Sequence, residues 1–195
     1  MHKTRVIILE GIATSGKTTL QKLLENKLSA DFAVKTFSEG ITLMPLVENK
    51  LPGIAVSYLQ KLLLKFKKSK TDFIITDRFH FTHVFRTGNK NKYFRNVEQY
   101  FLKNFNVLTV LLFVNESVIK KNIIGSLRIR KTWAKGKKGT LSEKVAYYKD
   151  QQRKFKEITK QSKLPVLKIN TTQKNWDVYV CKILKKINLI TNTTE

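Results

Sequence analysis

Residues 5–24 read RVIILEGIATSGKTTLQKLL. Four consecutive apolar residues, Val6 to Leu9, lead into Gly11; a second glycine stands at Gly16, followed by Lys17, Thr18 and Thr19. Leu20, Leu23, Leu24 and Leu28 then recur at helical spacing. The order is strand, glycine-bounded turn, amphipathic helix. It gathers backbone N–H groups at the positive end of a helix, where an anion is stabilised. Gly11-Ile12-Ala13-Thr14-Ser15-Gly16-Lys17-Thr18 fits G-x-x-x-x-G-K-[ST] in full. The glycines let the backbone curl around phosphate oxygens, Lys17 can reach the β- and γ-phosphates, and the Thr18 hydroxyl can ligate Mg²⁺. ATP or GTP with Mg²⁺ is the expected ligand. Gly11, Ala13, Thr14, Ser15, Gly16, Lys17, Thr18 and Thr19 are the residues expected around its phosphates.

Four further runs read as buried strands beside RVIIL (5–9): AVKTF (33–37), FIIT (73–76), VLTVLLFV (107–114) and PVLKI (165–169). They are short, apolar and mostly non-alternating, as strands are in a parallel sheet covered on both faces. Helical patterns separate them. They lie after Gly16, at 55–68 with Leu59, Leu62, Leu63 and Phe66, at 96–105, at 141–161 as a long charged surface helix, and from Asn175 with Val180, Ile183, Leu184 and Ile187 on one face. Strand–helix alternation implies one α/β domain. Ligands of such sheets bind at the carboxyl ends of strands. The second strand ends in Phe37-Ser38-Glu39-Gly40 and the third in Thr76-Asp77-Arg78-Phe79. Glu39 and Asp77 are therefore candidates to hold Mg²⁺ or to take a proton, and Arg78 is a candidate to clamp phosphate.

The 195 residues suit one domain, and Lys plus Arg outnumber Asp plus Glu by 38 to 14, a net charge of +24. That field attracts polyanions, although the lysines are spread along the whole chain and most read as a solvated surface. One cysteine, Cys181, leaves no intramolecular disulfide; it falls in the last helix and reads as a packing residue, and a reducing cytoplasm is the expected location. No apolar run approaches the ~20 residues that span a bilayer, so no membrane partner is expected. His2, His80 and His83 have no zinc-ligand spacing. RIRKTWAKGKKGT (128–140) has six basic residues and two glycines, and reads either as a solvated loop or as a lid over anionic substrate.

EGIATSGKTT, SEG, DRFHFTHVFRTG and RIRK, in that order, resemble the thymidylate kinase and deoxynucleoside kinase branch of P-loop kinases. Asp77, Arg78, Phe79, Thr82 and Gly88 fall on the D-R-Y-x-x-S-x-x-A-Y-Q-G pattern, PLVENKL (45–51) on the P-L-x-E-x-I-R run, and LPVLKINTTQKNWDVYVCKIL on the closing strand, adenine-side loop and helix. The resemblance implies a three-layer α/β/α P-loop NTPase fold with a five-stranded parallel sheet, one kinase domain over 1–190, a basic lid at about 126–140 and a tail at 191–195. It implies ATP- and Mg²⁺-dependent phosphoryl transfer to a nucleoside monophosphate, dTMP or a related nucleotide. The catalytic group would be Lys17, Glu39, Asp77, Arg78, Arg128 and Arg130, with Thr18 and Asp77 on the metal and Glu39, Phe79, Phe85 and Arg86 at the acceptor. Phe66 and Phe81 are further stacking candidates. Family members often pair as homodimers. The sequence departs from the branch where Ser38 and Gly40 replace an arginine and a proline, where Arg86-Thr87 replaces Tyr-Gln, and where a tryptophan after the glutamate is missing. A nucleoside, another small alcohol or a nucleic-acid 5′ end stays open as acceptor, as does a P-loop ATPase without acceptor; nucleic acid is ranked below the small molecules.

Overall fold

The computed structural model describes residues 3–46, 51–129 and 139–187, the side chains of 127–129 excepted. Its five strands are β1 (Arg5–Gly11), β2 (Val34–Phe37), β3 (Phe73–Asp77), β4 (Asn106–Phe113) and β5 (Val166–Asn170). They form one all-parallel sheet in the order β2-β3-β1-β4-β5. Every expected strand is present, with ends shifted by one or two residues. From β1 the chain crosses to β2 at one edge, returns to β3 beside β1, and then passes to β4 and β5 on the other side; its direction switches beside β1, and the crevice at that switch point is where such a sheet receives ligands.

The described helices are α1 (Lys17–Leu28), α2 (Glu39–Thr42), α3 (Pro52–Lys68), α4 (His80–Thr87), α5 (Arg95–Asn104), α6 (Glu116–Ile129), α7 (Leu141–Gln161) and α8 (Trp176–Lys186). The strand pleat sorts them into layers. Ile7 and Leu9 of β1, Phe73 and Ile75 of β3, and Leu108, Val110 and Leu112 of β4 face one side, where α1 and α8 cover them. Val6 and Ile8, Ile74, and Val107 and Leu111 face the other, under α3, α4, α5 and α7. Strands buried on both faces need no polar alternation, which is why their sequences are continuously apolar. Each fully buried large side chain contributes about 1.5–3 kcal/mol. The result is the three-layer α/β/α arrangement.

Local chemistry sets the helix ends. Pro52 stands in the first turn of α3, where its missing N–H costs nothing. α7 starts at a capping box: Glu143 N–H donates to Thr140 Oγ1, and the Glu143 carboxylate accepts from Thr140 N–H. α4 stops at Gly88, whose φ of +70° suits glycine.

Two expectations are corrected here. Helix 141–161 is not simply a charged surface element, because Tyr148, Gln151, Gln152, Phe155, Ile158 and Thr159 recur along one buried face. Cys181 is not a packing residue: it lies on the exposed face of α8, opposite the buried Val180, Ile183 and Leu184. The sequence reading also assigned no bounds to α6 and no element to α4, a single short helix made mostly of His, Thr and aromatic residues. The residues of the expected lid between 130 and 138, and the expected tail, lie outside the described residues. Among the described residues no helix is long and apolar enough to cross a membrane.

A buried polar cluster joins the elements of the second layer. Glu98 of α5 is 1% exposed and accepts hydrogen bonds from His80 Nε2 (2.9 Å), Asn91 Nδ2 (3.3 Å), Ser162 Oγ (2.7 Å) and Lys163 N–H (2.9 Å). Burial pushes its carboxyl up, but the bond and charge of His80 and the donors of Lys163 and Ser162 outweigh it and hold the group down at about 2. His83, one turn along α4, is pushed down to about 4 by burial, then by the charges of His80 and Arg86. Both groups take up protons more readily when unfolded. His83 thus removes stability as pH falls from its ordinary 6.5 towards 4, and Glu98 removes more as pH falls from 4.5 towards 2. Urea midpoints should accordingly fall continuously below pH 6.5. His83→Leu should flatten the upper part of that fall and leave the lower part; an unchanged profile in the variant would remove His83 as its source.

Candidate active site

The site is built on the carboxyl ends of β1 and β3. After Gly11 the chain turns through three positive φ values, +146° at Gly11, +70° at Thr14 and +89° at Gly16, before α1 begins at Lys17. Two of these positions require glycine twice over. A Cβ at Gly11 would run into the Leu112 carbonyl, and one at Gly16 into the ring of Trp176. The loop after β5 braces the turn from outside: Thr171 Oγ1 donates to the Ser15 carbonyl at 2.9 Å, and Trp176 lies against Gly16.

Glu10, the last side chain of β1 before the turn, is fully buried. Its Oε1 accepts from Phe79 N–H at 2.8 Å and its Oε2 from Thr82 Oγ1 at 2.6 Å. The segment after β3 is thereby held beside the glycine turn. There Arg78 adopts φ +66°, a strained value for a side-chain-bearing residue. Its Nη1 donates to the Gly11 carbonyl at 2.9 Å and to Thr82 Oγ1 at 3.1 Å. Its Nε lies 3.1 Å from Glu39 Oε2, while Arg86 Nη2 of α4 donates to Glu39 Oε1 at 3.1 Å.

Two cavities flank the turn. One of about 400 Å³ is lined by Thr14 to Thr19 together with Asn122 and Ser126 of α6 and Thr171, Lys174 and Trp176. The other, of about 130 Å³, is lined by Ala13, Lys17 and Thr18, by Glu39, Asp77, Arg78 and Arg86, and by Tyr147, Tyr148 and Gln151 of α7. Lys17 and Thr18 line both. Lys17 Nζ donates to the carbonyls of Gly11 (3.1 Å) and Ile12 (2.9 Å). Burial, then the charge of Arg78, lowers its ammonium to about 7 against the pull of Asp77, Glu39 and Glu10. Burial raises the Glu39 carboxyl, but Arg78, Lys17 and Arg86 outweigh it and bring it below the ordinary value. Burial pushes the Tyr148 hydroxyl up, so it is a donor rather than a base.

Thr14 Oγ1, Ser15 Oγ and Asp77 Oδ1 are buried without a hydrogen-bond partner. Such groups are costly unless a ligand meets them. A glycine cradle with orphaned hydroxyls fits phosphate, and a spare Asp oxygen on a residue that shares a cavity with Thr18 fits a hard cation such as Mg²⁺. Among the described residues no group of three or more His, Cys, Asp or Glu gathers at one point.

Lys17, Thr18, Glu39, Asp77, Arg78 and Arg86, all candidates from sequence, line one cavity. Phe79 is not at the cavity. It is fully buried, its ring 5.1 Å from that of Phe101 and 6.3 Å from that of Phe66, and it offers no face to a ligand. Phe66 and Phe81 are equally buried core residues. Phe85 is partly buried, edge-on to Tyr147 and Phe155. The side chain of Arg128 and the whole of Arg130 lie outside the described residues. Sequence reading passed over Glu10, Tyr147, Tyr148 and Gln151. Glu10 had a legible signal, a carboxylate closing an apolar strand, where burial demands partners. The α7 residues had only a helical spacing.

No family model matches the chain, and no curated protein matches it in sequence. Solved structures do match in fold. The YorR protein of Bacillus subtilis, in complex with phosphorylated GDP, superposes with TM-score 0.66 at 19% identity over 94% of this chain and 96% of its own. Thymidylate kinase from Candida albicans gives TM-score 0.58 at 17% identity over 95% and 91%. Polyphosphate kinase 2 from Arthrobacter aurescens gives TM-score 0.70 at 12% identity over 100% of this chain and 73% of its own. The chain therefore has the fold of these structures, the fold that its motifs resemble.

The buried Lys17 costs stability that the fold does not need. Without it the Gly11 carbonyl keeps Arg78 as donor and the Ile12 carbonyl keeps Ser15 N–H at 3.3 Å. Lys17→Met should therefore melt at or above the wild-type temperature in thermal unfolding. A clearly lower melting temperature would give Lys17 a structural role instead.

Proposed function

We propose that the protein is an ATP- and Mg²⁺-dependent kinase that passes the γ-phosphoryl group of ATP to a nucleoside monophosphate, dTMP or a related nucleotide, as thymidylate kinases do. The observation that carries this reading is the meeting of two cavities at Lys17 and Thr18, one bounded by the glycine turn and the other by Arg78, Arg86, Glu39 and Asp77. A triphosphate on one side and a second anion on the other would share those two residues. Transfer between bound anions asks little covalent chemistry of the protein; it asks for alignment and cancellation of charge. Lys17 and Arg78 stand where both anions approach. Mg²⁺, held by Thr18 and Asp77, would neutralise charge on the donor phosphates.

Each side chain then has a task. The backbone of 11–19 binds the donor phosphates. Arg78, pinned to the Gly11 carbonyl, orients the junction between donor and acceptor. Arg86 binds the acceptor. Glu39, ion-paired with both arginines, spaces them and accepts a hydrogen bond from an acceptor hydroxyl. Its lowered carboxyl makes it a hydrogen-bond acceptor more than a base.

A second reading takes a nucleoside as acceptor, as the structural likeness to deoxyadenosine kinase from M. mycoides also allows, with TM-score 0.54 at 17% identity. The specific observation in its favour is that Glu39 already pairs with both Arg78 and Arg86, each at 3.1 Å, which leaves less of their charge for an acceptor phosphate. A panel of nucleosides, nucleoside monophosphates and a 5′-hydroxyl oligonucleotide, with ADP formation as readout, separates the readings. Turnover with monophosphates supports the first reading and turnover with nucleosides alone the second. ADP formation that no acceptor stimulates would overturn both in favour of an ATPase.

With the acceptor in hand, Asp77→Asn and Arg78→Ala should each lower kcat by roughly a hundredfold, the scale of losing one preorganised charged group. Arg86→Ala should raise the acceptor KM by about tenfold and leave the KM for ATP unchanged. Wild-type constants in these variants would take the residues out of the site.

A further inference from the structure

Arg78 holds a backbone conformation that its own residue type disfavours, φ +66°. It persists because the segment around it is tied at nearly every polar handle. The Asp77 carbonyl accepts from Thr42 Oγ1 at 2.7 Å, Arg78 N–H donates to the Leu9 carbonyl at 2.9 Å, and Phe79 N–H and Thr82 Oγ1 bind Glu10. Those ties come from the site side. One further tie comes from behind. His80, the first residue of α4, turns its ring away from the cavities and is 1% exposed, between Phe81 and Phe94 at ring separations of 4.6 Å and 5.7 Å. Its Nε2 reaches Glu98 Oε1 at 2.9 Å. The Glu98 carboxyl stays ionised and can only accept, so the Nε2 of His80 carries the proton.

Glu98 lines neither cavity beside the glycine turn. A buried carboxylate with several donors adds little net stability over an apolar residue of similar size. What it adds is direction: the backbone bond from Lys163 N–H holds its Oε2 to the loop before β5, and its Oε1 fixes His80 at one point. We infer that Glu98 is a positioning residue for phosphoryl transfer: by holding His80 against the β5 side of the layer, it sets the turn at residues 78–80 and so the aim of the Arg78 guanidinium. The inference rests on the reading of the smaller cavity as the transfer site.

The test compares variants that remove different bonds to the same carboxylate. His80→Leu removes the tie that leads to Arg78. Ser162→Ala removes a tie that leads away from it. His80→Gln restores an N–H donor near the Nε2 position. Steady-state kinetics with ATP and the acceptor from the panel are paired with hydrogen exchange of the Arg78 and Phe79 amides in the free protein. His80→Leu should lower kcat by roughly tenfold or more, the scale of a misaimed group, leave the KM for ATP unchanged and speed exchange at both amides. His80→Gln should recover most of the loss. Ser162→Ala should lower the melting temperature as His80→Leu does, with kcat and exchange of the wild type. Wild-type kcat and exchange in His80→Leu, or an equal kcat loss in Ser162→Ala, would overturn the inference. If the wild-type protein phosphorylates no acceptor, the functional reading fails, and the exchange comparison alone still decides whether Glu98 sets the turn.

Discussion

The Glu10 carboxylate is the interaction on which the site depends. It is fully buried at the end of β1 and accepts from Phe79 N–H, Thr82 N–H and Thr82 Oγ1 beyond β3. Parallel strands have no hairpin to align their ends; only ladder bonds and side chains do so. The ladder registers Leu9 with Asp77 and stops there. Past that point Glu10 takes over, bringing Arg78 within 2.9 Å of the Gly11 carbonyl. Lys17 and Arg78 thus converge on the same carbonyl from two segments distant in sequence.

That convergence has an electrostatic cost, visible in Lys17, whose ammonium is lowered to about 7 by burial and by Arg78. Two cations side by side, with Arg86 a third, are unfavourable in a protein that already carries +24. Glu39 and Asp77 offset part of it. Three cations, Lys17, Arg78 and Arg86, still line one small polar cavity. Strain at Thr14 and Arg78 and the orphaned oxygens of Thr14, Ser15 and Asp77 belong to the same pattern. Local rules are broken where ligands are expected and obeyed in the layers around.

The legibility of the site followed the range of the interactions. The glycine turn was readable because its residues are contiguous and their spacing is set by backbone geometry alone. Asp77 and Arg78 were readable from their place after an apolar strand. Phe79 was misassigned because an aromatic beside a functional arginine looks the same in sequence whether it faces a cleft or, as here, Phe66 and Phe101. Tyr147, Tyr148 and Gln151 were passed over because α7 is rich in Lys and Gln and its buried stripe only gains meaning once the helix is laid across the turn.

By itself the sequence determined the strands, their parallel burial, most of the long helices and the glycine turn, because each is decided by residues within a few positions of one another: apolar runs, helical spacing, glycines at φ values closed to other residues. The tertiary structure decided what those parts face. It put Trp176 against Gly16 and Thr171 on the Ser15 carbonyl, across more than 150 positions. It made Glu39 the shared partner of Arg78 and Arg86, and it turned His80 away from the site towards Glu98. Such pairings depend on strand order and on the face each helix presents. Both follow from the packing of the whole chain, which no local pattern records.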